Sequence, residues 1–338
     1  MKSITHFYSE YHGHTIDHLE RLVEDDHLPA GRNCIYLVGD STLDNKYWLN
    51  RKLEPACNGY EKVLSPPKSV PDVTYWMNRE CAERSLPYVA INCAIEESTL
   101  GLRQNGNMLP QDAFVQSHVK DADILVVSCG GNDIALRPTA WTIVSMATLL
   151  MSPRWAIEWG VAPGLGHFVR LFRDATRRYV EALIKPSGAK PACVVACMLY
   201  YLDEQPGGSW ADAVLQKLGY DKDPTKLQLV MRVIYERATS QIALEAASGE
   251  AVDVVPVALY EALDGRDTRD YAQRVEPSAQ GGRKMAKLIH DAIAPLLDTR
   301  AVAFGQSQGG ARRGGAGAGG AAAVGVVAMP TSVHNRRG

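Results

Sequence analysis

Five short runs of apolar residues dominate the hydropathy pattern of this chain. They occupy residues 34–38, 88–91, 124–128, 192–199 and 252–257. Each run is continuous rather than alternating, which is typical of strands that are buried on both faces of a parallel sheet. The pattern therefore predicts a sheet of five parallel strands.

Segments with a helical spacing of apolar residues separate these runs. Leu227, Val230 and Ile234, for example, fall on one face of a helix. We predict helices over residues 43–53, 141–151, 168–184, 225–247 and 278–297. Strands that alternate with helices predict an α/β fold, here a three-layer α/β/α sandwich with right-handed crossovers.

Composition divides the chain into three parts. Residues 1–32 form a polar N-terminal extension, residues 33–298 carry the alternating pattern of one domain, and residues 299–338 are mostly glycine and alanine. The last part cannot bury enough apolar surface to offset the entropy lost on ordering, so we expect a disordered tail.

The N-terminal extension is rich in histidine, with His6, His12, His14 and His18. Such a cluster can bind a metal, but neither a cysteine nor a helix motif such as HExxH accompanies it. We therefore predict a solvated segment. Part of it is expected to be helical, because apolar residues recur at helical spacing between residues 16 and 23.

Two insertions interrupt the alternation of strands and helices. Residues 152–166 contain Trp155 and Trp159, and residues 203–223 contain Trp210. Both follow apolar segments, so either can overhang the carboxyl edge of the sheet, where folds of this kind bind ligands. The alternative is a cap that only seals the core, and the sequence does not decide between the two.

Charge and cysteine content limit the possible partners and compartments. The formal net charge is −2, without the basic stripe of a nucleic-acid-binding protein. No apolar run is long enough for a signal peptide or for the roughly 18 residues of a membrane span. The seven cysteines form no CxxC pair, which favours buried thiols in a reducing compartment, so we expect a cytoplasmic protein without a zinc site.

The first candidate for chemistry is Ser41, in the sequence Gly39-Asp40-Ser41 directly after the first predicted strand. A serine there lies at the carboxyl edge of the sheet and at the start of a predicted helix, a position that favours developing negative charge. The alternative is an ordinary N-cap, which serine often provides.

The second candidate is Asn132, which follows Gly130 and Gly131 at the end of the third predicted strand, and Gly131 is expected to line the same site. An asparagine amide at this edge can donate a hydrogen bond to an oxyanion, a role worth roughly 3–4 kcal/mol. The alternative is an Asx-turn that closes the strand. The Gly-Asp-Ser motif and the Gly-Gly-Asn motif, in this order after two strands, indicate a functional site more specifically than either motif alone.

Taken together, these motifs resemble those of the SGNH/GDSL hydrolase superfamily over about residues 33–298. The resemblance implies a flavodoxin-like sandwich in which Ser41 is the nucleophile and Asn132 the oxyanion donor. The second family block, N-x-x-x-x-G, corresponds to the stretch that begins at Asn92. Glu97 therefore stands where the family has an oxyanion-binding glycine.

The last family block, D-x-x-H-P-S, corresponds to residues 273–278. Glu276 stands at the position of the base histidine and Gln273 at that of the aspartate. An unperturbed glutamate has a pKa of about 4.3, too low for an efficient base, unless burial or a nearby acid such as Glu97 raises it.

His118, His167, His290 or an N-terminal histidine can replace the base. Lys46 is expected to be solvated.

Two functions follow. The first is a serine esterase that hydrolyses a small acyl ester, with Ser41 as nucleophile, Asn132 at the oxyanion and Glu276 or a recruited histidine as base. The second is a catalytically degenerate binding or scaffold protein with an acidic pocket that includes Asp40, Glu97 and Glu276.

A calcium or magnesium ion would prefer the oxygens of such an acidic pocket, but three acids alone assign no metal. We predict no cofactor, since the chain has neither a GxGxxG turn after the first predicted strand nor a Walker motif. The expected partner is a small-molecule ester or another protein.

Overall fold

The computed structural model describes residues 1–24, 32–49 and 52–313. Its centre is a sheet of five parallel strands in the order β5-β4-β3-β1-β2. The strands are β1 (Asn33–Gly39), β2 (Tyr88–Asn92), β3 (Ile124–Ser128), β4 (Cys193–Met198) and β5 (Val254–Ala258). Four of the five are almost wholly buried, as their continuous apolar sequences predict.

Seven longer helices accompany the sheet in the described part of the chain. They are α1 (Ile16–Val23), α2 (Val73–Glu83), α3 (Pro110–His118), α4 (Ala140–Met151), α5 (Thr176–Ile184), α6 (Pro224–Arg237) and α7 (Ala279–Arg313). Side-chain caps fix several of their starts. Asp72 accepts the backbone N–H of Tyr75 at the start of α2, and Thr139 accepts that of Thr142 at the start of α4.

Shorter elements fill the connections. The short helices are Ile4–Phe7, Lys46–Leu49, Tyr60–Val63, Gly101–Gly106, Gly131–Ala135, Arg154–Glu158, Leu165–Val169, Arg170–Ala175, Asp212–Lys217, Thr239–Gln241, Leu259–Glu261 and Thr268–Asp270. The short strands are Lys2–Ser3, Leu64–Ser65, Glu54–Pro55, Lys68–Ser69, Leu244–Glu245, Ala251–Val252, Tyr271–Gln273 and Glu276–Pro277.

Helices cover both faces of the sheet. On one face, side chains of α2 and α7 pack against Ile35 and Leu37 of β1. On the other face, side chains of α1, α3 and α5 pack against Tyr36 and Val38 of the same strand. The predicted three-layer α/β/α fold is therefore confirmed, and its strand order is that of a flavodoxin-like sheet.

One predicted helix is wrong. Of the residues in this range, 43–49 form a turn followed by a single short 3₁₀ helix, because their polar side chains bond to distant parts of the fold. The side chain of Asn45 accepts the backbone N–H of Val73 and donates to the carbonyl of Pro277. Such bonds compete with helical hydrogen bonding.

The N-terminal segment packs more tightly than its polar composition predicts. Phe7, Leu19 and Leu22 belong to the same buried cluster as the sheet. His14 and His18 are also buried, so the solvated segment predicted for these histidines is wrong. The Nδ1 of His14 pairs with the carbonyl of Phe7, which gives the imidazole a partner inside the core.

The C-terminal boundary predicted at residue 298 falls inside α7. The backbone of this helix continues to Arg313. The remainder of the predicted glycine- and alanine-rich tail, residues 314–338, lies outside the described residues. Within the part of the chain that is described, no helix is both long and apolar enough to cross a membrane.

A third buried cluster forms a cap beside the sheet, built from α4, α6 and the two tryptophan-bearing insertions. The first insertion contributes Ala156 and Ile157 to this cluster, and the second contributes Ala211 and Leu215. Met198, the last residue of β4, belongs to the same cluster. The cap is therefore continuous with the edge of the sheet where the strands end.

Candidate active site

Ser41 lies immediately beyond the end of β1, at the point where the strand order reverses. The connection to β2 runs to one side of β1 and β3 lies on the other, so this edge is the switch point at which such sheets bind ligands. Gly39 makes the close approach of β1 and β3 possible. Its φ is 122°, and a Cβ at this position would lie 1.7 Å from the carbonyl oxygen of Ser128.

Five of the six residues predicted for the site line one pocket of about 150 Å³: Asp40, Ser41, Gly131, Asn132 and Glu276. The side chain of Ser41 forms no hydrogen bond with any described residue, so its hydroxyl is free to face a ligand. No histidine is among the described residues that line this pocket.

Asn132 is held in place by a hydrogen bond from its Nδ2 to the carbonyl of Ser98, at 3.0 Å. It lies in the short helix Gly131–Ala135, which follows Gly130 at a φ of 104°. A Cβ at Gly130 would lie 2.9 Å from the ring of Phe172, so glycine is required there. Because an amide nitrogen has two N–H groups, Asn132 keeps one donor for a ligand.

Asp40 lies between the strand and the serine and is buried. Its Oδ1 accepts the backbone N–H of Thr42, and its Oδ2 has no partner among the described residues. Burial raises the pKa of Asp40 to about 6. Asp40 therefore organises the turn after β1 and adds negative charge beside Ser41.

Glu276 is buried in the same wall of the pocket, with 3% of its surface exposed. Burial, assisted by the carboxylates of Asp40 and Asp44, raises the pKa of Glu276 to about 8. Its Oε2 has no partner among the described residues. The environment thus moves this glutamate from an ordinary acid toward the range in which a general base works near neutral pH.

Glu96 is a second buried glutamate, which the sequence motifs do not identify. Burial and the neighbouring Glu276 raise its pKa, because two close carboxyl groups cannot both ionise easily. Its Oε2 is buried and has no partner among the described residues, as in Glu276. Nothing in the sequence distinguishes Glu96 from Glu97, since both are acidic and belong to one turn.

Glu97 points elsewhere. Its side chain accepts a hydrogen bond from the hydroxyl of Tyr11 and lines a separate cavity that also contains His12 and Arg137. Its backbone φ is 59°, the left-handed conformation that glycine adopts most readily. The backbone at this position thus has the conformation suited to the family's glycine, while the carboxylate lies outside the Ser41 pocket.

This backbone conformation leads to a prediction for Glu97→Val. A β-branched residue is disfavoured at positive φ, so we expect the free energy of unfolding to fall by about 1–2 kcal/mol. Urea unfolding followed by circular dichroism measures the change. Glu245→Val, at an exposed position in a short strand, serves as the matched control and should change stability by less than about 0.5 kcal/mol. Equal effects of the two variants would contradict the prediction.

Lys46 is buried rather than solvated, which corrects the prediction for this residue. Its Nζ forms an ion pair with Asp44 at 2.7 Å, and both side chains are almost inaccessible to solvent. Asp44 also accepts hydrogen bonds from the side chain of Asn92 and the backbone of Glu96. The cation of Lys46 therefore supports the turn after β2 through Asp44, and Lys46 does not line the Ser41 pocket.

The histidines considered as replacement bases lie in other environments. His118 stacks on Phe114, and His167 pairs with the hydroxyl of Thr142. His290 is buried in α7, where Ile289 and Ile293 belong to the sheet-facing cluster. Among the described residues, no group of three or more histidine, cysteine or acidic side chains is arranged to hold a metal ion.

The two insertions have different relations to the pocket. Residues 203–223 supply part of its lining, including Trp210, Ala211 and Val214. Residues 152–166 supply none of the described lining residues, and their side chains pack in the cap. The second insertion therefore overhangs the site, and the first completes the cap behind it.

No family model and no curated protein sequence matches the chain. Solved structures that are similar to it include an extracellular lipase from Streptomyces rimosus, with 13% sequence identity over 77% of this chain and 99% of that one and a TM-score of 0.41. A carbohydrate acetylesterase from Sinorhizobium meliloti has 14% identity over 78% and 100% of the two chains, also with a TM-score of 0.41.

An aryl esterase from M. smegmatis has 13% identity to this chain. The match covers 78% of this chain and 100% of the esterase, with a TM-score of 0.40. Other similar structures are described as GDSL-like lipases or SGNH hydrolases. These are the kinds of protein that the sequence motifs resemble, and the fold of this chain is established by its own sheet and layers.

Proposed function

We propose that this protein is a carboxylic-ester hydrolase in which Ser41 attacks the carbonyl carbon of a small acyl ester. One observation carries the proposal: Ser41, Asn132 and Glu276 line one pocket at the switch point of the sheet. A nucleophile, an oxyanion donor and a titratable carboxyl group are the three roles that acyl transfer from an ester requires.

The proposed reaction assigns one role to each side chain. The Oγ of Ser41 bonds to the ester carbonyl carbon while its proton passes to the ionised carboxylate of Glu276. The second Nδ2–H of Asn132 donates to the carbonyl oxygen as it becomes negative. The alcohol then leaves with the proton from Glu276, and water hydrolyses the acyl-enzyme by the same steps.

The pH dependence follows from the raised pKa of Glu276, about 8. Below that pH the carboxyl group is mostly protonated and cannot accept the serine proton, so kcat/KM should rise about tenfold per pH unit from pH 5 to 7 and level off above about pH 8. Initial rates with a nitrophenyl ester, corrected for spontaneous hydrolysis, measure the profile. A plateau that begins at or below pH 6 would contradict the assignment of Glu276 as base.

A binding protein without catalysis is the second candidate function. Two observations favour it: the Ser41 hydroxyl forms no hydrogen bond with a described base, and burial keeps Glu276 largely protonated at neutral pH. In this alternative the pocket binds a small molecule or a protein segment, and the buried carboxyl groups act as hydrogen-bond donors.

Labelling with a fluorophosphonate separates the two functions, because the reagent reacts only with an activated serine. We expect stoichiometric modification of Ser41, identified by mass spectrometry, with a rate that increases from pH 6 to pH 9. Heat-unfolded protein is the control and should not be labelled. Absence of labelling on the folded protein across this range would support the binding protein instead.

The cysteines support a reducing location, and we propose the cytoplasm. All seven are free thiols, and six of them are buried. Buried thiols that form no disulfide are typical of proteins from reducing compartments.

A further inference from the structure

The pocket beside Ser41 extends far beyond the reacting groups. From the wall that holds Ser41 it reaches under the cap, where Met198, Val230 and Ile234 are at most 2% exposed. At its outer end, Trp210 and Val214 also line it, and these are 43% and 41% exposed. The pocket therefore has a polar wall at the serine, a buried end under the cap and a mouth at the second insertion.

Its lining is chemically divided. Among the described lining residues, the only charged side chains are Asp40 and Glu276, and both lie at the Ser41 wall. The part under the cap is formed by aliphatic side chains, methionines and the ring of Phe172, which offer no hydrogen-bonding partners. A sugar or a charged group placed there would lose its water without compensation. The group that fills this part must therefore be apolar.

We propose that this pocket binds the acyl group of the ester, and that it selects an unbranched or aryl acyl group of about six carbons over acetyl. This inference rests on the proposed function and names the substrate class of the same site. A dry cavity of about the same volume lined by leucine, isoleucine and phenylalanine holds benzene, which sets the size at about six carbons.

The expected selectivity follows from the area that each methylene buries. One buried methylene contributes about a fourfold increase in binding, so the step from acetyl to hexanoyl offers a total of up to roughly 200-fold. An acetyl group would not reach the buried end of the pocket, so the side chains that line this end would make no contact with the substrate. A group much longer than the pocket would have to extend into solvent or displace cap residues.

A series of nitrophenyl esters from acetate to dodecanoate tests the proposal, with the concentration of active sites determined by fluorophosphonate titration. We expect kcat/KM to be highest for hexanoate or octanoate and at least tenfold above that for acetate. We expect the value for dodecanoate to fall again. Fastest hydrolysis of acetate, dependent on Ser41, would overturn the pocket assignment and leave the proposed function standing.

Two variants change the pocket in opposite directions. Leu227→Trp fills it and should shift the optimum toward acetate, whereas Ile234→Ala enlarges it and should shift the optimum toward longer esters. Ile157→Ala is the matched control, because Ile157 is buried in the same cap but is not among the pocket-lining residues. The ratio of rates between two esters is independent of the folded fraction. An unchanged ratio in both pocket variants would overturn the proposal.

A binding measurement distinguishes failure of the inference from failure of the proposed function. With the Ser41→Ala protein, saturation-transfer NMR should detect hexanamide and not acetamide, and Leu227→Trp in the same background should abolish the signal. If no ester is hydrolysed but hexanamide still binds in this way, the proposed esterase activity is wrong, and the pocket still binds an apolar group of about six carbons. If neither hydrolysis nor hexanamide binding occurs, both proposals fail.

Discussion

Replacement of Ser41 by alanine should reduce kcat for ester hydrolysis by about 10⁴ to 10⁶, the range found when a member of a catalytic serine constellation is removed. The loss should be this large because, among the described lining residues, the only other hydroxyl groups are those of Thr42 and Tyr200, and the Tyr200 hydroxyl already donates to the carbonyl of Val275. Initial rates with hexanoate and acetate esters at pH 9, where Glu276 is ionised, measure the effect.

A matched control for this variant is Ser128→Ala. Ser128 is also buried at the end of a central strand, and its Oγ has no partner among the described residues, but it does not line the pocket. Its replacement should leave kcat within about twofold of the unmodified protein, because no interaction with substrate is removed. If Ser41→Ala retains more than about one hundredth of the activity, Ser41 is not the nucleophile.

Replacement of Glu276 by glutamine should have two large effects of opposite direction. At pH 9 it should lower kcat/KM by about 10² to 10⁴, the contribution of a positioned general base. It should also stabilise the folded protein at alkaline pH, since a neutral amide need not ionise in a buried site. The first effect is measured by initial rates, and the second by urea unfolding at a series of pH values.

The pH range of the stabilising effect follows from the sign of the shift. The pKa of Glu276 is raised on folding, so the folded state binds its proton more tightly than the unfolded state. The contribution of Glu276 to the free energy of unfolding is complete below its pKa in the unfolded chain, which is about 4.3. This contribution declines as the pH rises to about 8. Glu276→Gln removes this decline, so its stability advantage should grow with pH to a few kcal/mol.

The control for this second effect is Glu250→Gln, at an exposed position. Its free energy of unfolding should follow that of the unmodified protein at every pH, because this replacement changes no buried carboxyl group. The free energies of unfolding of Glu276→Gln and of the unmodified protein should differ by an amount that changes with pH. A constant difference from pH 5 to pH 9 would show that Glu276 does not titrate in this range.

The strands were easier to predict from the sequence than some of the helices. Continuous apolar runs located all five strands of the central sheet. Helices α2 and α3 were missed because polar side chains occupy part of their buried faces. Asn78 in α2 accepts the backbone N–H of Ala90, and Asp112 in α3 forms an ion pair with Arg103. Such partners come from distant parts of the chain, which a local hydropathy pattern does not contain.

The sequence predicts which positions of the backbone form the site better than it predicts which side chains point into the pocket. The order of motifs identified Ser41, Asn132 and Glu276 as residues of one edge of the sheet, and all three line one pocket. Motif spacing also drew attention to Glu97, whereas the buried carboxyl group beside Glu276 belongs to Glu96. Which of two consecutive side chains points inward depends on the turn, and the positive φ at Glu97 is a property of the fold.

The distribution of free thiols makes the chain a chemical reporter of its own unfolding. Burial raises the pKa of several of these thiols, for example that of Cys34 to about 12 and that of Cys57 to about 11. Only Cys57 is partly exposed, while the other six cysteines are enclosed by the layers on either side of the sheet and by the sheet itself. An alkylating reagent therefore meets one accessible sulfur in the native molecule and seven in the unfolded chain. The rate at which the six buried cysteines are alkylated therefore measures how often the layers separate, and no probe has to be engineered into the chain.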